Sequence, residues 1–565
     1  MKFLGKLLLT LLLLVLLALV ILYVLLQTAW AAGWVSNWVN QNTNYQLSLG
    51  KINHDWSSLN HIQLKDVTFG HKDQPPTLSA PTVSVGLGMR QITDPRHFSS
   101  LELEGGTLNL SSTAVTLPIE ADILQLRSMA LQAQDGDWRL NGQVINGGIT
   151  PWQPEAGYLL GKQGRFQLSA RSMRLNDIPA SQVLMQGEIN QNQLILSNFG
   201  ADVAQGQLTG NASRGEDGSW QIGNLRLSNV RLQTPRAIQD FWEPITAIPS
   251  VAVNRFDLID ARIEGPGWAF IDLDVTLQDV TFKKGDWESE DGELSFNATD
   301  IVNGSMHFID PIVNLALSPN GVDIKQFTTR WEGGLLRTNG SWQRSNHRLL
   351  LNEFVVAGME YTLPADWRQH WQTSLPDWLT EVTIRKFTAN RNLLIDINPD
   401  FPFQLTALDG YGSDLMLARN HEWGIWAGSL HLNASDATFN KVDIRRPSLA
   451  LTATDSQISI TDLSTFTPAG LLEAKATISQ QPAREFSFTM SGRSVPMDIL
   501  TRWGWPTSPS APTGNSNLQL QLNGQLAAST PLKPTLNGSL QGVDSNGQPI
   551  NQQMHQGTLT THTEQ

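Results

Sequence analysis

From residue 44 onward the chain keeps returning to runs in which every second residue is apolar, and that alternation leaves few folds open to it. Examples are "HIQLKDVTFG", "RFQLSARSMRL", "FDLIDARIEG", "LDVTLQDVTF" and "NLQLQLNGQL". A period of two marks a strand with one apolar and one polar face. In "LELEGGTLNL", Leu101 and Leu103 share a face, Gly105 and Gly106 supply the turn, and Leu108 and Leu110 carry the same face back. With little helical pattern between such runs, the expected fold is mainly β, a long and mostly antiparallel sheet.

The runs are organised in repeats. "LILSNFGADVAQGQL" from Leu194, "VDIKQFTTRWEGGLL" from Val322 and "ISITDLSTFTPAGLL" from Ile458 align without gaps. Each has apolar residues at positions 1, 3 and 6, Gly at 13 and Leu at 15, which groups Leu194, Leu196, Phe199 and Leu208 with Val322, Ile324, Phe327 and Leu336, and with Ile458, Ile460, Leu463 and Leu472. A second marker follows each time: "PRAIQDFW" from Pro235, "PADWRQHW" from Pro364 and "PMDILTRW" from Pro496. Proline at a first helical turn with Trp242, Trp371 or Trp503 two turns on reads as a short helix with a fixed start. Each unit of about 130 residues is then several strands plus one helical crossover. Residues 45–165 read as an earlier, diverged unit, with the helix around Trp30 in place of its crossover. One-sided strands must bury their apolar face, either by closing into sandwiches or by curling into a trough, and alternation alone is compatible with both.

Ahead of the strands, Leu7 to Leu26 is twenty residues with Thr10 as its only clearly polar member. As a helix it reaches roughly 30 Å, the thickness of a bilayer's hydrocarbon core. "AWA" at Ala29 to Ala31 also fits a signal-peptidase site, but a signal's apolar region is usually about 7 to 15 residues, so a retained anchor is the expectation. Lys2 and Lys6 precede the run and no charge follows until Lys51, which orients the amino terminus to the cytoplasm and exports the rest. Trp30, Trp34 and Trp38 then fall on one helical face where the chain leaves the bilayer. They read as a membrane-interface belt or as an aromatic face packed on the first strands, and the two can coexist.

Composition narrows the function classes. A net charge of -13 gives no basic face for nucleic acid. The absence of cysteine excludes disulfides, thiolate metal sites and a cysteine nucleophile. The eleven histidines show no ligand spacing, and His54-Asp55, adjacent on a strand, reads as a solvated turn. Glycine pairs such as Gly333-Gly334 lie between strands and do not open a helix, so they are turns and not phosphate loops. No nucleophile elbow or paired carboxylate stands out, and the expectation is a protein with no catalytic residue, metal or cofactor.

"MKFLGKLLL", "HIQLKDVTFG", "LEGGTLNL", "TTRWEGGLLRTNGSW", "DFPFQLTALDGYG" and "DIRRPSLALTA" together resemble the AsmA-like envelope proteins of Gram-negative bacteria. The resemblance implies an inner-membrane anchor and an elongated, twisted periplasmic body of repeating β-groove modules, with short helices between them. It also implies a role in moving phospholipid toward the outer membrane or in outer-membrane assembly. The expected organisation is a cytoplasmic tip at 1–6, a transmembrane helix at 7–26, an interfacial amphipathic helix at 27–44, a groove body at 45–540 and a disordered hydrophilic tail at 541–565. The expected partners are phospholipid acyl chains, the inner membrane, and outer-membrane or periplasmic proteins, without nucleic acid. The residues expected to line the groove are Leu47, Leu49, Leu101, Leu103, Leu108, Leu110 and the twelve aligned repeat positions named above. A scaffold or chaperone for outer-membrane proteins, binding at exposed strand edges, is the competing reading.

The topology is testable directly. A reporter active only outside the cytoplasm, fused after Gly50, is expected to be active while the anchor stays attached. A mature chain starting at Ala32 would identify a cleaved signal instead.

Overall fold

The computed structural model describes residues 2–54, 57–58, 60–110, 118–135, 138–155, 161–176, 178–191, 193–241, 249–506, 514–527 and 530–560. It is mainly β and mostly antiparallel. The chain packs as two compact units, the first comprising Met1–Pro266 with Asp272–Trp287 and the second Gly267–Ile271 with Glu288–Gln565.

The first unit opens with helix α1, Lys2–Leu26, a turn at Gln27 and Thr28, and helix α2, Ala29–Asn42. Among the described residues no single helix is long and apolar enough to cross a membrane. Thr10–Leu26 and Ala29–Asn42, bent by 70° at their junction, satisfy that test as a pair. The strand Lys51–His54 ends on His54, whose Nδ1 lies 2.7 Å from the Tyr23 hydroxyl of α1. His54 is therefore not in a solvated turn; Asp55 lies outside the described residues.

Long antiparallel strands follow, interrupted at three places among the described residues by parallel pairing. Leu101 pairs with Leu124, Trp220 with Val251 and Arg348 with Glu381, each across a connection that returns the chain to the same edge. Short helices Ile238–Phe241 and Trp367–Gln372 sit in the second and third connections. Pro235 and Pro364 stand three residues ahead of these helices, not in their first turn; the Trp367 amide donates to the Pro364 carbonyl at 3.0 Å, so the proline starts the turn that leads in. Trp242 lies outside the described residues. The earliest crossover lies between Leu110 and Leu124, of which 111–117 are outside the described residues, and not at the Trp30 helix, which packs on the first two strands instead. At the third marker, helix Asp498–Arg502 is followed by an antiparallel strand, Asn515–Gln525, paired back on Glu485–Pro496.

The repeats carry a shared irregularity. Between Leu196 and Phe199, Ile324 and Phe327, and Ile460 and Leu463, two residues oppose one on the next strand. These are β-bulges, and each extra residue restores parity. Without it, position 6 of the repeat would face opposite to positions 1 and 3. A second bulge recurs one strand earlier, at Gln182, Asp310 and Arg446, with φ of 50°, 48° and 48°.

The hydrophilic tail is ordered in part. Asn537–Val543, Pro549–His555 and Thr558–Thr560 form consecutive antiparallel strands, while 561–565 are outside the described residues. The expectation of disorder overlooked that Ile550 and Met554 fall four residues apart on one strand face. Both are buried, and they complete the apolar edge left by Leu540.

Deleting Asn198 should convert the bulge at 197–198 to regular pairing and turn Phe199 outward. Exposing that half-buried side chain costs about 1 kcal/mol, and hydrogen exchange should rise in strands 178–190 and 206–214 while strands 348–357 stay protected.

Candidate functional site: an apolar sheet face

The bulges keep apolar residues in cross-strand register over many strands. In the second unit one row runs Val313, Phe327, Thr338, Phe354, Phe387, Gly412, Leu430, Leu451, Ile460, Ala476, Phe488, Leu522, Gly538, Met554, each residue opposite the next. At about 4.8 Å per strand the row covers roughly 60 Å along the sheet. It contains no charge, and its one hydroxyl, on Thr338, donates to the Glu353 carbonyl at 2.7 Å. The first unit has an equivalent row: Leu101, Leu124, Ile149, Phe166, Gly187, Leu196, Ala212, Ile222, Val253.

The face is concave in both units. A cavity of about 620 Å³ in the first is lined by Leu47 and Leu64 at one side and Met185 at the other. Strands 61–71 and 178–190 are six pairings apart, about 29 Å on a flat sheet, so the sheet rolls its apolar face inward. A cavity of about 580 Å³ in the second unit is lined by Leu405, Leu449, Phe488 and Met554, the outermost two from strands eight pairings apart, and by Leu500, Trp503 and Trp505 around the last short helix.

The positions expected to line a groove divide accordingly. Leu47, Leu101, Leu103, Leu108 and Leu110 line the first cavity, and Leu463 and Leu472 the second. Leu49 is buried beside them. Leu194 and Leu196 pack at the margin of the first core, and Ile324 packs on Leu351, Ile384 and Leu415. Ile458 and Ile460 pack with Leu451 and Ala453. Phe199, Leu208, Val322, Phe327 and Leu336 are half-buried.

Trp30, Trp34 and Trp38 are 70%, 62% and 55% exposed, and Trp38 also lines the first cavity. The opposite face of α2 is buried through Ala31, Ala32 and Ser36. Polar groups missed in the sequence fix this docking: the Ser36 hydroxyl accepts from the Leu49 amide at 3.1 Å, and the Asn40 side chain bonds both backbone groups of Leu47. Serine and asparagine inside a helix gave no signal, because their partners lie on a strand whose register sequence alone does not provide.

His97 was also missed. It is 4% exposed and lies between Glu120, 2.8 Å from Nδ1, and Asp122, 2.9 Å from Nε2. Both nitrogens donate only in the imidazolium form. The hydrogen bond to Glu120 is the main force holding its pKa above the ordinary histidine value; burial opposes this, and Asp122 adds to the rise. The two carboxylates bind opposite sides of the ring and so converge on no common metal position.

No family model matches the chain. Among curated proteins, it is 49% identical over 561 residues to the AsmA family protein YicH of Escherichia coli strain K12, covering 99% of this chain and 98% of that one. The chain belongs to the AsmA family. Membership makes it an envelope-associated protein, in agreement with the resemblance carried by its amino-terminal and strand motifs.

Because the folded pKa of His97 is raised, its charged contacts stabilise fully below the unfolded value of about 6.5 and are lost as pH rises through the folded one. Amide protection factors at 97–101 and 119–122, referred to the intrinsic base-catalysed rate at each pH, should therefore be lower at about pH 8.5 than at about pH 5.5. His97→Gln should remove that difference.

Proposed function

We propose that this protein is anchored in the inner membrane by α1, with its β body in the periplasm, and that it carries phospholipid acyl chains on the concave apolar face of its sheet toward the outer membrane. The observation that supports this reading is the cross-strand row of apolar positions without a charge. Each CH2 kept from water is worth about 0.8 kcal/mol, so an acyl chain held on such a face is stabilised all along its length. A long apolar surface rimmed by polar residues is also costly to leave uncovered, and in soluble bodies such surfaces mark ligand or membrane contact. Headgroups stay in solvent along the seam, and the process needs no catalytic group, metal or cofactor.

The anchor reading draws on the apolar composition of α1 and on the outward Trp30 and Trp34. Changing Trp30, Trp34 and Trp38 together to Ala should leave membrane attachment intact, because α1 supplies it. It should lower lipid adducts formed by photocrosslinkers at Leu47, which sits on the cavity wall beside Trp38. Equal adduct yields would confine the stripe to anchoring.

Native mass spectrometry of the gently purified body should find phospholipid bound. Leu196→Asp and Ile460→Asp put a carboxylate against an acyl chain at an unfavourable cost of at least about 2 kcal/mol, so affinity for lipid should fall about thirtyfold or more while circular dichroism keeps its β spectrum. A parent body free of lipid would favour the scaffold or chaperone reading.

A further inference from the structure

The most exposed large apolar side chains among the described residues are in neither the Trp stripe nor the groove. They are Met89, 85% exposed, and Ile92, 79% exposed, in a single 3-10 turn Met89–Ile92. That turn is well built: the Gly88 amide donates to the Gln91 side chain at 3.0 Å, and the Asp94 amide to the Arg90 carbonyl at 2.8 Å. Its outward apolar pair is thus held in place by the backbone of the turn.

Strand register locates the turn relative to α1. Tyr23, near the end of α1, contacts His54; His54 is opposite Ile62, and Ile62 is opposite Val85. Two strand spacings, about 10 Å, therefore separate the His54 level from the end of strand Leu78–Gly86. The turn projects from that end, and the chain comes back at Ser100, opposite Gly86. Arg90 lies within the turn between the apolar pair and Arg96 follows it, with side chains 71% and 76% exposed, and Arg96 lines the first cavity together with Trp38 and Phe98. Their acidic neighbours, Asp122 at 3.6 Å and Asp94 at 4.0 Å, form only exposed pairs, weak enough for a phosphate to replace.

We propose that the turn Met89–Ile92 is a second membrane contact, dipping Met89 and Ile92 into the bilayer surface at the mouth of the first cavity while Arg90 and Arg96 meet phospholipid phosphates. This rests on the reading of α1 as the anchor. An interfacial segment of this kind combines apolar side chains below the headgroups with arginines whose stems run up to them.

The chain has no cysteine, so single spin labels can be placed without background. Met89→Cys, Ile92→Cys and, as an aqueous control, Asn320→Cys would be labelled in the full chain and reconstituted into vesicles of phosphatidylethanolamine and phosphatidylglycerol. Labels at 89 and 92 should collide with oxygen several-fold more, relative to a water-soluble nickel complex, than the label at 320. Equal ratios at all three would overturn the proposal, including the case in which a protein partner covers the turn in the cell. A Leu16→Cys label reads the anchor separately. Because the measurement needs no lipid in the cavity, a deep turn in a body that carries no lipid would sink transport and leave this contact standing.

Discussion

The apolar face depends on parity. In a strand of period two, one unmatched residue turns everything after it to the other side. Strands 193–203, 321–331 and 457–466 are long enough for twist to carry their two ends out of alignment with their neighbours. The bulges at 197–198, 325–326 and 461–462 absorb this by placing two residues against one. A bulge also adds local twist, which assists the rolling that lets Leu64 and Met185 share a cavity. Continuity and curvature of the face thus have a common source.

Charges contribute little to holding this shape. Arg337 pairs with Glu353 and Arg348 with Glu381 beside the sheet, at 2.9 and 2.7 Å, with the arginines half-exposed. Such pairs are worth about 0 to 1 kcal/mol each, and their effect is to hydrate a surface otherwise covered by Gln, Asn, Ser and Thr. Stability comes from the inward face, where Met129 and Leu540 are fully buried, and from α2, whose Ser36 and Asn40 bond the backbone around Leu47 and Leu49. Helix α2 is thereby tied to the first strand by polar contacts that resist sliding better than an apolar seam would.

Alternation made the strands legible in the sequence, and the two recurring markers made the repeats legible, since both depend on local residue spacing. The 1, 3, 6 spacing of apolar positions already held the bulge, because strict alternation would put position 6 on the wrong face. Its meaning emerges only when a neighbouring strand supplies one residue against two. The tail was misjudged because hydrophilic composition outweighed Ile550 and Met554, whose spacing suffices for an edge strand. His97 could not be anticipated: Glu120 and Asp122 reach it through a parallel pairing of His97 with Glu120 across 23 residues.

The third Pro to Trp marker shows how one local signal takes two structural roles. After Pro364 the helix is a connector between parallel strands, and Trp371 stays exposed, stacked on Trp423 at 5.6 Å. After Pro496 the next strand returns antiparallel, so the helix need not bridge anything and folds onto the apolar face instead. Ile499 and Leu500 become buried, Trp503 donates to the Phe439 carbonyl at 3.1 Å, and Trp505 donates to Gln552 at 2.8 Å. These contacts fasten the helix to strands on both sides of the cavity. Within the second unit the apolar row that starts at Val313 therefore meets this helix as a wall, where Leu500, Trp503 and Trp505 face Phe488, Leu522 and Met554 across the cavity. The outward stack of Trp371 on Trp423 sets no such barrier, which makes the last short helix the point where the apolar path is closed.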